Sequence, residues 1–220
     1  MLSAIEARVL GVLVEKQRTV PDTYPLSLNA LVAGCNQKSS RNPVMEVTEA
    51  EAQAAVDSLK GLNLAVESSG GRVPRYEHNI ERVLNISDAA VAILAVLMLR
   101  DPQTAGELRI NGDRLHKFAD ILAVETLFRE LAARPAGALV AELPRQPGSR
   151  ENRWAHLLCG APSHEPAAAA PAASQDPDRG SPGEVAALRA DVARLAAEVA
   201  ELKTLVARLR EEPGALRDTS

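Results

Sequence analysis

Between Val185 and Leu209 the chain alternates valine and leucine at spacings of three and four residues, without exception over four heptads. Val185, Val192, Val199 and Val206 take the a positions, and Leu188, Leu195, Leu202 and Leu209 the d positions. β-branched residues at a with leucine at d favour a parallel dimer, because each packing geometry suits one side-chain shape. The flanks agree: Glu184 and Glu198 stand at g, and Arg189 and Lys203 at the following e positions. A parallel pair brings those opposite charges together, whereas an antiparallel pair would oppose like charges. Ser181-Pro182-Gly183-Glu184 reads as a helix start, with a cap, a proline at the first helical position and a capping-box glutamate. Pro213 and Gly214 end the helix. The expectation is a coiled-coil helix over residues 184–212 and a homodimer. No buried asparagine sets the number of strands, so the heptads leave dimer against higher oligomer open. The competing reading is an amphipathic helix folded back on its own domains.

Residues 161–183 are rich in Ala and Pro and nearly lack large apolar side chains. Such a segment buries too little surface to offset the entropy of ordering and reads as a flexible linker, with a reach of roughly 25–30 Å. A folded core therefore belongs to residues 1–160. Aromatics are only 2% of the chain against 46% hydrophobic residues, so that core is built from Leu, Val, Ile and Ala. The same scarcity argues against a single-stranded nucleic-acid platform, which stacks bases on exposed rings.

Ser3 with Glu6 forms a capping box ahead of Ile5, Val9, Val12 and Leu13, which recur at helical spacing. After a Pro-broken loop over 19–26, Ser27 caps a second helix whose face carries Leu28, Leu31, Val32 and Cys35. Thr48 with Glu51 opens a third, packing through Ala52, Ala55, Val56, Leu59 and Leu62. Two short extended runs about Gly70-Gly71 then predict a β-hairpin. Three helices and a hairpin are the order of a winged helix. That order repeats: a buried helix over 87–100, a capping box at Thr104 and Glu107, and a helix marked by Phe118, Ile121, Leu122, Val124, Leu127, Phe128 and Leu131. A second hairpin follows around 144–150. Val56-Asp57-Ser58-Leu59 echoes Val124-Glu125-Thr126-Leu127, and Arg75-Tyr76-Glu77-His78 echoes Arg153-Trp154-Ala155-His156. Both echoes fall in the same order within matching elements, which reads as a duplication. The expected fold class is α+β and mainly helical: winged-helix domains at 1–85 and 86–160, the linker, then the coiled coil.

The block over residues 6–45 contains VLVEKQ, TVPDTYPLS and CNQKSSR. It resembles the YceH-like family of uncharacterised bacterial proteins, and the resemblance runs from about Leu2 to about Cys159. The family implies tandem winged helices and no established reaction, ligand or partner.

Net charge is −4 and the sequence pI about 5.7. Each candidate domain is close to neutral: nine basic and ten acidic residues over 1–85, then nine and nine over 86–160. Strong non-specific DNA binders are usually basic, so this balance leaves DNA binding open without arguing for it. Cys35 and Cys159 form no CxxC pair, consistent with a reducing cytoplasm. No leader pattern opens the chain. Its longest apolar run, 89–99, is too short to span a bilayer, so neither a membrane nor a compartment other than the cytoplasm is expected.

The polar run Asn36-Gln37-Lys38-Ser39-Ser40-Arg41-Asn42 is the leading candidate site. In a winged helix it precedes the recognition helix, where phosphate contacts often fall. Lys38 and Arg41 would neutralise phosphates while Ser39, Ser40 and Asn42 hydrogen-bond to them. The alternative is a solvated turn whose polar groups satisfy local backbone. On the hairpins, Arg72, Arg75, Arg150 and Arg153 are candidates for reaching a minor groove; solvated arginines are the bland alternative. The third helix of the first half opposes DNA with Glu49, Glu51 and Asp57. That of the second half has Arg114, Lys117 and Arg129 nearby, against Asp120 and Glu125. Tyr76 and Trp154 read as packing residues, and Cys35 as a small core residue. His156 and Cys159 give an HxxC spacing, but two ligands do not make a zinc site. No glycine-rich phosphate loop or nucleophile motif appears. No metal, cofactor or enzymatic activity is expected. The favoured function is a dimeric, DNA-associated regulator or architectural protein binding double-stranded DNA. The alternative is a protein-interaction adaptor whose winged helices bind a partner chain, as in chromosome-segregation complexes. An enzyme is third.

Overall fold

The N-terminal capping box forms as its spacing predicts. The Ser3 hydroxyl accepts from the Glu6 N–H at 3.2 Å, and the Glu6 carboxylate accepts from the Ser3 N–H at 2.6 Å. It starts α1, Ala4–Thr19. A 3₁₀ turn at Pro21–Thr23 leads to β1 (Leu26–Ser27) and, capped by Ser27, α2 (Leu28–Cys35). The box at Thr48 and Glu51 opens α3, Glu49–Gly61, and the expected hairpin follows as β2 (Ala65–Ser68) and β3 (Arg75–His78). β3 lies at the centre of an antiparallel sheet ordered β1-β3-β2, with Leu26 opposite Tyr76 and Ala65 opposite His78. These elements come from a computed structural model that describes residues 1–68, 72–145, 148–149 and 151–161. The expected coiled coil, Arg150 and all but the first residue of the expected linker lie outside the described residues.

A short helix absent from the sequence reading, α4 (Ile80–Leu84), ends at Asn85, whose φ of 49° lies in the left-handed region asparagine tolerates. Ser87 then caps α5 (Asp88–Leu99). A third capping box, Thr104 with Glu107, opens α6 (Ala105–Asn111). Asp120 caps α7 (Ile121–Ala132). The second hairpin pairs β4 (Val140–Glu142) with β5 (Trp154–His156), Val140 opposite His156.

The two halves share more than element order. Gln103 bridges Trp154 as Leu26 pairs with Tyr76. Arg75 donates to the carbonyl of Pro25, one residue before that pairing, at 2.8 Å; Arg153 donates to the carbonyl of Pro102 at 2.5 Å. Tyr76 reaches Gln53 of α3, and Trp154 stacks on Phe128 of α7 with ring centroids 4.7 Å apart. His78 and His156 each bury an Nδ1 that has no partner. The paired echoes in the sequence thus occupy matching places in space.

One apolar core runs through both halves. Every residue of α5 from Ala90 to Leu99 is buried, so its hydrophobicity all round is that of a central helix. It packs against α1, where Val9, Leu10, Val12 and Leu13 are fully inaccessible. Gly11 permits the close approach: a Cβ there would stand 3.0 Å from Leu99 Cγ. Arg18 clips α1 to the second half, bonding the Asp88 carboxylate at 2.6 Å and the Leu115 carbonyl at 3.0 Å. The Leu2 N–H meets the Leu158 carbonyl at 2.8 Å. Some residues expected to pack do not. Leu62 caps the end of α3 and is 47% exposed, and Ile121 and Leu122 are 48% and 62% exposed; Phe118 packs on the core, but from a position before α7. Among the described residues, no helix is long and apolar enough to cross a membrane.

Candidate functional site

The polar run between α2 and α3 is held at both ends. The Asn36 side chain pairs with the backbone of Val47, donating to its carbonyl at 2.8 Å and accepting from its N–H at 2.7 Å. Arg8, buried in α1, donates to the carbonyls of Cys35 at 3.3 Å and Pro43 at 2.7 Å. The Asn42 N–H bonds the Leu99 carbonyl at 2.9 Å, and its side-chain amide donates to Asp101.

Arg41 is the central anchor. Its side chain is fully inaccessible. An arginine has five N–H donors, and every one is occupied here. Nε bonds the Gly34 carbonyl at 3.1 Å; Nη1 bonds Glu15 Oε1 at 3.0 Å and the Ser40 carbonyl at 2.9 Å. Nη2 bonds Glu15 Oε2 at 2.6 Å and Gln37 Oε1 at 2.8 Å. Burial by itself would raise the Glu15 carboxyl, but the hydrogen bonds and charge of Arg41, aided by Lys16, hold it below the usual carboxylate range. The phosphate contact expected at Arg41 is therefore corrected to a structural one: no donor remains for a ligand. Asn42 is exposed, with its side-chain amide bonded to Asp101.

These anchors leave a tip. Lys38, Ser39 and Ser40 are exposed, and Ser40 turns the chain with a φ of 59°. Behind the tip lies a cleft of about 170 Å³. Lys16 of α1, Gln37, Ser39 and Ser40 line one side, and Arg100 and Arg114 of the second half the other. Val96 and Leu99 contribute to the lining from the buried end of α5. Lys16 Nζ stands 3.3 Å from Gln37 Oε1 and 3.4 Å from Glu15 Oε2. Because Glu15 already faces Arg41, one carboxylate serves two cations and the cluster keeps a positive balance. Sequence reasoning singled out Ser39 and Ser40, with Lys38 beside them at the tip, but missed Glu15, Lys16, Arg100 and Asn111. The available signal was that VLVEKQ and CNQKSSR, far apart in the chain, are the most distinctive stretches.

The remaining candidates do not join this cluster. Arg75 is exposed on β3 and donates to the carbonyls of Thr23 and Pro25. Arg153 is tied to Pro102 and, at 2.8 Å, to Glu107. Arg72 is exposed. On α3 the exposed charges are Glu49, Glu51 and Asp57, while Lys60 is paired with Glu67. Cys35 is buried, which pushes its thiol up to about 11, as suits an inert core residue.

A family model described as "Protein of unknown function, DUF480" matches residues 2–149. A UPF0502 protein of Dechloromonas aromatica (strain RCB) is 61% identical over 192 residues, covering 87% of this chain and 88% of the relative. A UPF0502 protein of Burkholderia vietnamiensis is 65% identical over 159 residues, covering 72% of this chain and 67% of the relative. One from Burkholderia pseudomallei (strain 668) is 59% identical over 192 residues, covering 86% and 80%.

Proposed function

The chain belongs to the DUF480 family of bacterial proteins of unknown function, and we propose that it is a dimeric, DNA-associated regulator or architectural protein built on two tandem winged helices. The helix and strand order of the first half, with β1 pairing to the hairpin, supports that reading of the fold, and the Gln103–Trp154 bridge supports it for the second.

The observation that carries the DNA reading is the Lys38–Ser39–Ser40 tip, held outward by buried anchors on both sides. An exposed ammonium beside hydroxyls suits a backbone phosphate. Arg72 on the first hairpin and Lys117 before α7 are further exposed cations. Since α3 presents acidic residues, contact runs through phosphates rather than base edges, giving weak affinity per domain. Dimerisation through Val185, Leu188, Val192, Leu195, Val199, Leu202, Val206 and Leu209 would add such contacts by effective concentration. The test is anisotropy of labelled random duplex DNA titrated across salt. Binding with a clear log–log slope is expected, and Lys38→Ala should lower that slope by about one. No binding at low salt would overturn the reading.

A second reading, a protein-interaction adaptor, is favoured by a separate observation. Ile110 is 75% exposed on α6, and Ile121 and Leu122 are exposed at the start of α7. Apolar side chains of that size in the open, together with an acidic α3, suit a protein partner. A partner that co-purifies through salt too strong for DNA binding, and is lost on Ile121→Asp with Leu122→Asp, would support it.

A further inference from the structure

The cleft behind the tip has a chemistry that DNA contact does not require. It is concave, and Val96 and Leu99, which help line it, are only 3% and 4% exposed. Its volume of about 170 Å³ is too small for a drug-sized ligand, which takes roughly 300 Å³ or more.

Among the described residues, the charged side chains that line it are three cations, Lys16, Arg100 and Arg114, and one carboxylate, Glu15. Arg41, just behind, grips that carboxylate with both terminal nitrogens. Arg114 is exposed. The hydroxyls of Ser39 and Ser40 add donors beside the cations. Cations converging with neutral donors at a small recess are what a multiply charged oxyanion needs, since charge-assisted hydrogen bonds are the strong ones.

We infer that this cleft binds a small, multiply charged oxyanion of metabolite size, a polyphosphate or polycarboxylate. One wall comes from α1 and the loop after α2, the other from the end of α5 and the turn after α6. The ligand therefore bridges the two halves of the fold. This site shares Ser39 and Ser40 with the outward tip, but its cations are Lys16, Arg100 and Arg114 rather than Lys38.

Isothermal titration of the full-length chain at low ionic strength, with pyrophosphate and separately with citrate, tests it. Saturable binding of at least one anion is expected, and comparing the two assigns phosphate or carboxylate chemistry. Arg114→Gln should weaken binding roughly tenfold or more, as loss of a charge-assisted contact does. Arg82→Gln, which removes an exposed cation on α4, should leave it unchanged; thermal melts confirm that both variants fold. Failure of both anions to bind saturably, or equal weakening by the two substitutions, overturns the inference. So does loss of duplex binding in Arg114→Gln when neither anion binds, which would make the cleft part of a DNA surface. Anion binding without DNA binding leaves the inference standing and removes the DNA reading.

Discussion

Lys38 and Arg41 stand three residues apart in one polar run, yet one is exposed and the other has no accessible side-chain surface. Arg41→Ala leaves the part-buried Glu15 carboxylate with Lys16 alone and frees the carbonyls of Gly34 and Ser40 from their donor. Breaking one side of a buried pair costs about 3–5 kcal/mol, and urea denaturation of Arg41→Ala should show a loss of that size. His78 gives a pH dependence. Its Nε2 lies 2.7 Å from Gln17 Oε1, while Nδ1 is buried without a partner. Burial first, then the nearby charge of Arg18, lowers its pKa to about 4. Because the folded value lies below the unfolded one, the unfolded state binds more protons between them. Stability is therefore full above about 6.5 and falls as pH drops toward about 4. Urea midpoints measured at pH 7 and pH 5 should fall less in His78→Gln than in the parent. His156, lowered by burial in the equivalent strand, adds in the same direction.

At the scale of the element, the helices start where local capping dictates and pack where small residues permit. Three capping boxes and two single-residue serine caps set the starts of α1, α2, α3, α5 and α6. Close packing of α2 on α1 depends on Gly34, where a Cβ would stand 2.6 Å from Val12 Cγ1. Val12 is fully buried and branched, so it has no room to yield. Gly34→Ala should destabilise by about 1–3 kcal/mol, despite alanine's better helix propensity. Val12→Ala in the same chain should recover part of that loss in a double-mutant cycle, because the overlap is with that side chain.

For the whole molecule, the α1–α5 contact makes the two halves depend on one another. Leu10 of α1 is fully buried in the cluster that also contains Ile93 and Leu94 of α5. Leu10→Ala should cost about 2–5 kcal/mol. Trp154, the single tryptophan, sits on β5 in the other half, so its fluorescence reports on a distant part of the fold. Its unfolding midpoint should shift together with the helical signal in Leu10→Ala. Separate shifts would mean that the halves unfold independently.

Element starts, both hairpins and the paired sequence echoes were legible in the chain because their causes are local. A capping box needs a serine or threonine and a glutamate three residues on, and the repeat shows as matched short strings in matched order. The β1 strand, α4 and the Gln103 bridge were not legible, since each is too short to carry a periodic pattern. The candidate site was legible only at its tip. Whether Lys38 or Arg41 faced solvent depended on Glu15, 26 residues from Arg41, and on the Leu99 carbonyl that tethers Asn42. The cleft gathers side chains from four separated stretches of chain. Short-range hydrogen bonding writes helix ends into sequence; which charges pair, and which are left to meet a ligand, is decided only when distant segments pack.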